Sequence, residues 1–345
     1  MANILILGAG SMGTAFSFPC SDNNHSVKIV GTYLEDSFID EINKTRKHPA
    51  LECMVAKSTK FYKFDDFQEC INDKVDLIVV AVVSKGIEWA SEELSKVIKK
   101  DIPILILTKG LAIYKNNYEV LANKMKRLLE SNGIKKSNIT AAGGPCLAKG
   151  LANKVNTSVV FANENIDDAK KISKLVSTSY YHIFVSDDLL GVEICAAIKN
   201  IFSMAVGAAE GLCKPEATNE IKSKNYLNTA AALIQESINE MMIFIDFMKG
   251  KKETVMGLAG IADLYVSADG GRNSKMGVYL GQGMSYSNAK KIKMPTVTIE
   301  GADLALEIGK KVKTEFNIKQ LPLMIAIIDT ICEEKPLTVH WKNFK

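Results

Sequence analysis

Asn3-Ile4-Leu5-Ile6-Leu7-Gly8-Ala9-Gly10-Ser11-Met12-Gly13 lies at the start of a chain of 345 residues. A short apolar run ends at a glycine, and a segment with helical spacing follows from Ser11 to about residue 24. The glycines fit G-x-G-x-x-G, a pattern that gains meaning only between a strand and a helix, where it stands here. Gly8 permits the tight turn, Gly10 lets backbone approach a pyrophosphate, and Gly13 lets the helix pack closely on the strand. The helix start at Ser11 and Met12 offers free N–H groups and a positive dipole end to phosphates. The turn therefore predicts a dinucleotide site.

Working outward, apolar runs at 27–30, 77–83, 102–107, 139–142, 158–161 and 180–185 read as further strands. Helical spacing covers 36–45, about 87–99, about 118–131 and 169–177. Continuous apolar strands alternating with helices predict a parallel sheet covered on both faces. From residue 188 the pattern changes to long helical stretches, interrupted by glycines between 250 and 283, with further helices at about 302–313 and 321–334. The expected fold class is a doubly wound, Rossmann-type α/β sheet followed by an all-α C-terminal domain. The domains are placed at 1–187, for the dinucleotide, and 188–345, for substrate and catalysis.

Composition narrows the function classes. Hydrophobic residues make up 47% and charged residues 24%, as in an ordinary globular protein. Lys+Arg number 43 against 39 Asp+Glu, a balance too close to neutral to suggest nucleic-acid binding. The seven cysteines are odd in number and lack C-x-x-C spacing, which predicts reduced thiols and a cytoplasmic protein. The four histidines do not cluster with cysteines or carboxylates, so no metal site is expected. The N-terminus lacks a basic n-region, and no apolar stretch approaches the ~20 residues of a membrane span, so neither a signal peptide nor membrane insertion is expected.

The residue after the second strand usually reads the adenosine ribose: an acid suits NAD, and a basic residue suits the 2′-phosphate of NADP. Here the strand is followed by Thr32 and Tyr33, with Glu35 and Asp36 slightly late and no arginine. NAD is favoured and NADP stays open. In the second half, Lys199 lies on a strongly apolar helix, among Cys195, Ala196 and Phe202. One reading is a lysine that buries its stem and carries its amine to water. The other is a desolvated amine whose lowered pKa suits proton transfer near neutrality. Lys109 ends a buried strand, where ligands of open α/β sheets bind or where a lysine simply meets solvent. Asp263, in an apolar glycine-rich segment, needs a partner such as Lys199 if buried, or else caps a helix. Arg272 follows two glycines and is able to present a planar fork of donors to a phosphate, or to stand free in a loop. Met241, Met242, Phe244 and Phe247 read as core or dimer contact.

These residues fall within a series that resembles the NAD(P)-dependent sn-glycerol-3-phosphate dehydrogenase family over roughly residues 2–330. The series is the glycine turn at 8–13, Thr108-Lys109-Gly110, Gly144-Pro145-Cys146-Leu147-Ala148, Ala197-Ile198-Lys199-Asn200, the stretch from Gly257 to Leu264, Gly271-Arg272-Asn273 and Glu300-Gly301. The resemblance implies interconversion of dihydroxyacetone phosphate and sn-glycerol 3-phosphate by hydride transfer with NAD(P)H, in a cytoplasmic homodimer that supplies glycerol phosphate to phospholipid synthesis. It implies Lys199 as the catalytic proton donor and acceptor, with Lys109, Asp263 and Asn200 in the same site. It assigns Lys109, Gly144, Cys146, Asp263, Gly271, Arg272 and Asn273 to substrate. It assigns Gly8, Gly10, Ser11, Met12, Gly13, Thr32, Lys109, Ala148, Arg272 and Glu300 to the cofactor. The chain departs from the family at Cys146 and Leu147, where Ser or Thr followed by Phe is common, and at Gly150, where Glu is common. It also has a shorter connection from Asp263 to Arg272. These departures leave open another polyol phosphate; the alternatives are a same-fold dehydrogenase of a sugar phosphate or 3-hydroxy acid, and a dinucleotide sensor without turnover, against which the retained Lys109, Lys199, Asp263 and Arg272 argue.

Overall fold

A computed structural model describes residues 1–71, 74–98, 101–213 and 226–344. The chain divides into two compact units, Met1–Lys109 with Val120–Val192, and Gly110–Glu119 with Glu193–Lys345.

The first unit is built on an eight-stranded sheet: β1 (Asn3–Leu7), β2 (Ser26–Val30), β3 (Lys60–Tyr62), β4 (Leu77–Val80), β5 (Ile104–Ile106), β6 (Ile139–Gly143), β7 (Thr157–Ala162) and β8 (Tyr181–Ser186), in the order β8-β7-β6-β5-β4-β1-β2-β3. Its larger helices are α1 (Ser11–Asp22), α2 (Asp36–Thr45), α3 (Ile87–Val97), α4 (Leu121–Ser131) and α5 (Ile166–Val176). The strand order reverses at β1, whose neighbours are β2 and β4, both parallel to it. That reversal opens the crevice at which doubly wound sheets bind ligands. Leu77 to Val80 are all fully buried, as two covered faces require.

The expected doubly wound sheet is present, with one join that the apolar runs did not predict. β6 and β7 pair antiparallel, with Ala142 opposite Phe161, whereas the other pairings within this eight-stranded sheet are parallel. Residues 144–156 hold only one short helix, Ala148–Ala152, and an antiparallel return needs no full crossover. The run at 77–83 also ends sooner than expected, at Val80, because the chain turns through Ser84–Gly86 into α3.

The second unit contains α6 (Leu189–Leu212, which begins in the first), α7 (Leu227–Phe247), α8 (Asp263–Ala268), α9 (Arg272–Gly281), α10 (Glu300–Glu315) and α11 (Pro322–Cys332). α6 is long and apolar enough to cross a membrane by length and composition alone, but 94% of its most apolar window is buried inside the protein. Buried Glu240 on α7 accepts from the N–H groups of Leu323 and Met324, satisfying donors that the first turn of α11 leaves open. Met241 and Phe244 are fully buried, whereas Phe247 is partly exposed.

Among its described residues the unit is helical apart from a two-stranded hairpin, Leu111–Tyr114 with Asn117–Val120. This corrects the helix expected at 118–131, which begins at Leu121. Tyr118 belongs to the hairpin and its ring meets Phe244 and Phe247 at 5.2 and 6.3 Å, while Phe316 stacks on Phe244 at 5.6 Å.

Candidate active site

In the first unit the glycine-rich turn closes as its sequence requires. Gly8 has φ +110°, and a Cβ there would lie 2.8 Å from the Ala81 carbonyl oxygen. A Cβ on Gly13 would lie 2.2 Å from the Gly8 oxygen. Both glycines are thus demanded by the fold itself. Gly10 differs: a Cβ there would meet nothing nearer than Glu35 Oε1 at 3.8 Å. The open space above Gly10, with no side chain capping the first turn of α1, suits the diphosphate of a dinucleotide. Ser11, Met12 and Gly13 supply the N–H groups of that first turn.

Glu35 is more central than the sequence indicated. Its carboxylate accepts from the N–H of Ala9 at 3.2 Å and from the N–H of Thr32 at 2.7 Å. It ties the glycine turn to the end of β2 and puts a negative charge where the adenosine ribose of a bound dinucleotide is read. Thr32 contributes its backbone here, and its hydroxyl accepts from Leu34 N–H.

Lys109, three residues beyond β5, donates to the Gly144 carbonyl at 3.2 Å, which joins it to the Gly144–Ala148 loop beyond β6. Gly144 has φ +113°, a conformation that excludes ordinary side chains. Cys146 is half-buried against the core, and Ala148 starts the short helix that follows.

The second unit brings together the other expected residues. Lys199 on α6 and Asp263 at the start of α8 are almost fully buried, and their side chains form an ion pair at 2.7 Å. An ammonium taken out of water needs such a partner. The Lys199 ammonium also donates to the hydroxyl of Ser267, a residue the sequence reading missed. Ser267 stands four residues after Asp263 and so shares its helix face, which is the one signal the sequence offers for it. A π-helical turn, Leu258–Ala262, leads into Asp263. Gly260 in that turn is pressed against Val255, where a Cβ would lie 2.0 Å from the carbonyl oxygen.

Asn200 and Asn273 are both buried and hydrogen-bond to each other at 3.0 Å. Asn273 also accepts from the N–H of Gly301 at 2.9 Å. The Arg272 guanidinium pairs with the Glu300 carboxylate at a half-open position. Gly271 caps α9, and a Cβ on it would lie 2.8 Å from the Ser267 oxygen.

The register of α9 against α6 explains this gathering. A Cβ on Gly277 would lie 2.0 Å from Met204 O, and one on Gly281 2.4 Å from Ala208 O. Conversely, a Cβ on Gly207 would lie 2.3 Å from Ser274 O, and one on Gly211 2.1 Å from Val278 O. The offsets 273 − 200, 277 − 204 and 281 − 208 all equal 73, so the helices run parallel in contact every fourth residue. The Asn200–Asn273 bond is the first rung of that ladder. Arg272 is thereby held one residue from it.

Two family models match nearly the whole chain, the NAD-dependent glycerol-3-phosphate dehydrogenase N-terminus over residues 3–169 and its C-terminus over 188–341. The chain belongs to this family. It is a nicotinamide-dependent oxidoreductase that takes NAD or NADP, on the Rossmann-type fold anticipated from its first residues. An NADP(+)-dependent glycerol-3-phosphate dehydrogenase of Archaeoglobus fulgidus is 29% identical over 286 residues, covering 83% of this chain and 82% of the relative. A glycerol-3-phosphate dehydrogenase [NAD(P)+] of Agathobacter rectalis is 28% identical over 339 residues, covering 97% and 93%. Among solved structures, glycerol-3-phosphate dehydrogenase from Coxiella burnetii superposes with a TM-score of 0.80 at 25% identity, covering 97% of this chain and 96% of that one.

Proposed function

We propose that the chain reversibly reduces dihydroxyacetone phosphate to sn-glycerol 3-phosphate. The observation that carries this reading is the buried Lys199–Asp263–Ser267 cluster, one residue along α6 from Asn200 and its partner Asn273. A bound nicotinamide supplies or accepts the hydride. Lys199 then delivers a proton to the C2 oxygen as the alcohol forms, and takes it back in the reverse direction. Asp263 holds the lysine in place and offsets its buried charge, while the Ser267 hydroxyl fixes the direction of the ammonium. Asn200 and Lys109 are assigned to substrate oxygens, and the Gly144–Ala148 loop, with Cys146, to the substrate's surroundings.

Arg272 is assigned to the substrate phosphate, together with Asn273 and Gly271. Its pair with Glu300 supports the assignment energetically. A half-exposed ion pair contributes up to about 1 kcal/mol, whereas charge-assisted hydrogen bonds to a phosphate contribute about 1.5–3. A phosphate therefore competes well for the guanidinium. Residues 1–187, apart from the 110–119 hairpin that belongs to the second unit, act as the dinucleotide-binding domain and 188–345 as the catalytic domain, in a cytoplasmic homodimer that supplies glycerol phosphate for phospholipid synthesis.

Turnover of a panel of carbonyl substrates, each with NADH and NADPH, tests the proposal. The panel holds dihydroxyacetone phosphate, dihydroxyacetone, longer ketose phosphates and 3-oxo acids. The expected result is a kcat/KM for dihydroxyacetone phosphate well above every other member. Preference for a longer phosphate would assign the changed residues Cys146, Leu147 and Gly150 to a different substrate. Tight NADH binding without turnover of any member would overturn the enzymatic reading.

A further inference from the structure

Of the four histidines, only His48 is enclosed by the fold, at 1% exposed. It ends a two-residue strand, Lys47–His48, paired antiparallel with Cys53–Met54, and the Phe38 ring of α2 meets its ring edge-on at 4.8 Å. Its Nδ1 accepts from the N–H of Leu51 at 3.1 Å, so in the neutral ring the proton sits on Nε2. Burial holds its pKa below the ordinary histidine value, which keeps the ring neutral near pH 7. Nε2–H is therefore a buried donor, and among the described residues it has no hydrogen-bond partner. A buried donor left unmet is costly enough that it calls for an explanation.

The Ala9 backbone and the Glu35 carboxylate oppose the lowering of that pKa, which sets both beside the ring. A carbonyl only accepts, and Nδ1 is already occupied, so the Ala9 carbonyl lies on the Nε2 side, outside bonding range. Ala9 is the middle residue of Gly8-Ala9-Gly10. Its N–H donates to Glu35 at 3.2 Å, and its carbonyl accepts from Thr14 Oγ1 at 2.9 Å, which leaves one of the oxygen's two lone pairs. We propose that His48 is a positioning residue for the dinucleotide, whose Nε2–H closes on the Ala9 carbonyl as the diphosphate settles on the glycine-rich turn. That carbonyl shares a peptide unit with the Gly10 N–H, at the residue whose open side suits the diphosphate. A donor bonded to the carbonyl polarises the peptide and strengthens its N–H. The anion and the histidine thus act on the two ends of one peptide, and each tightens the other's bond. The inference concerns the cofactor and holds whichever carbonyl compound is reduced.

Two substitutions separate the ring nitrogens. His48→Asn keeps an amide oxygen where Nδ1 accepts from Leu51 and leaves nothing in the place of Nε2. His48→Gln reaches further, carries an amide N–H to the place of Nε2, and leaves the Leu51 N–H unmet. NADH affinity is measured by fluorescence titration, and melting temperature without nucleotide, for both variants and the wild type. His48→Asn should bind NADH about 10- to 100-fold more weakly, the worth of one buried hydrogen bond. His48→Gln should stay within about threefold of the wild type, well under one hydrogen bond. A histidine that only supports the hairpin would instead weaken NADH binding in step with the fall in melting temperature, whichever nitrogen is replaced. That pattern, equal losses of affinity in the two variants, or an unchanged affinity in His48→Asn would overturn the inference.

The wild type has a readout that needs neither turnover nor a folded variant. In protein labelled with ¹⁵N-histidine, the ring N–H of His48 is the one most protected from exchange, because the other three histidines reach solvent. Its nitrogen shifts should report the Nε2–H tautomer. On saturation with NADH its proton signal should move downfield, as a hydrogen bond to the Ala9 carbonyl requires. A proton on Nδ1, or a signal that stays in place or moves upfield with NADH, would overturn the inference.

Discussion

At Lys199, two effects of one substitution need to be separated. Lys199→Met removes the proposed proton donor and also leaves Asp263 buried without its ammonium. The first should lower kcat by about 10²–10⁴. The second should cost about 3–5 kcal/mol of stability. Adding Asp263→Asn removes the stranded charge, so the double variant should regain most of the lost stability and none of the turnover. Thermal unfolding and saturating-substrate kinetics on both variants check this, and near-normal kcat in either would remove Lys199 from the chemistry. Glu35 supports a second prediction. Its carboxylate bridges Ala9 and Thr32 where a 2′-phosphate would bring further negative charge. NADH should therefore be used at least as well as NADPH, and Glu35→Gln should narrow the ratio of the two kcat/KM values by about tenfold, equivalent to roughly 1.4 kcal/mol. A wild-type preference for NADPH, as the name of the Archaeoglobus relative suggests for that protein, would show that Glu35 does not repel the phosphate.

Between elements, the α6–α9 ladder places the site residues, and its glycines differ sharply from others in what they tolerate. Gly277→Ala sets a Cβ 2.0 Å from a backbone oxygen that cannot swing aside. Overpacking of this kind costs about 1–3 kcal/mol. The helices must move apart, and Asn273 moves with them, so activity should fall along with melting temperature. Gly150→Ala is the contrast. Its Cβ would meet only Leu147 and Val155 carbons at 4.0 Å, and in a helix alanine is favoured by roughly 0.5–1 kcal/mol. That variant should melt no lower than the wild type; a drop as large as that of Gly277→Ala would mean that the close approach is not what matters. Such contacts show what was legible in the sequence. The strand–glycine–helix start was readable because each element has its own period and the turn its own residues. Lys199 and Asp263 stood out as charges in apolar surroundings. The donor at Gly301 has no side chain to read, and Ser267 looks like any serine. The hairpin was hidden in its turn. Lys115 and Asn116 both have positive φ, as a type I′ turn demands, yet lack the Asn-Gly pair that advertises one.

That hairpin also decides how the whole chain can be divided. Residues 110–119 lie in sequence between β5 and α4 of the first unit but pack with the second. Tyr118 is 8% exposed, with its ring against Phe244 and Phe247 and with the Lys311 ammonium over it at 5.2 Å. Removing a buried aromatic side chain costs about 3–5 kcal/mol, and whole domains are stable by only about 5–15. A fragment of residues 193–345 therefore loses a large share of its stability with one missing ring, and the faces of Phe244 and Phe247 that met it open to water. We expect that fragment to bind a hydrophobic dye, to lack the near-ultraviolet dichroism of packed aromatics and to unfold without a sharp transition. The same fragment with residues 110–119 joined to its N-terminus through a flexible glycine-serine linker should recover both signals. Tyr118→Ala in the full chain should lower the melting temperature by several degrees, since roughly 1 kcal/mol corresponds to 2–4 °C for a unit of this size. A bare 193–345 fragment that melts cooperatively would show that the second unit is complete without the hairpin, and that Tyr118 only rests on a core already closed.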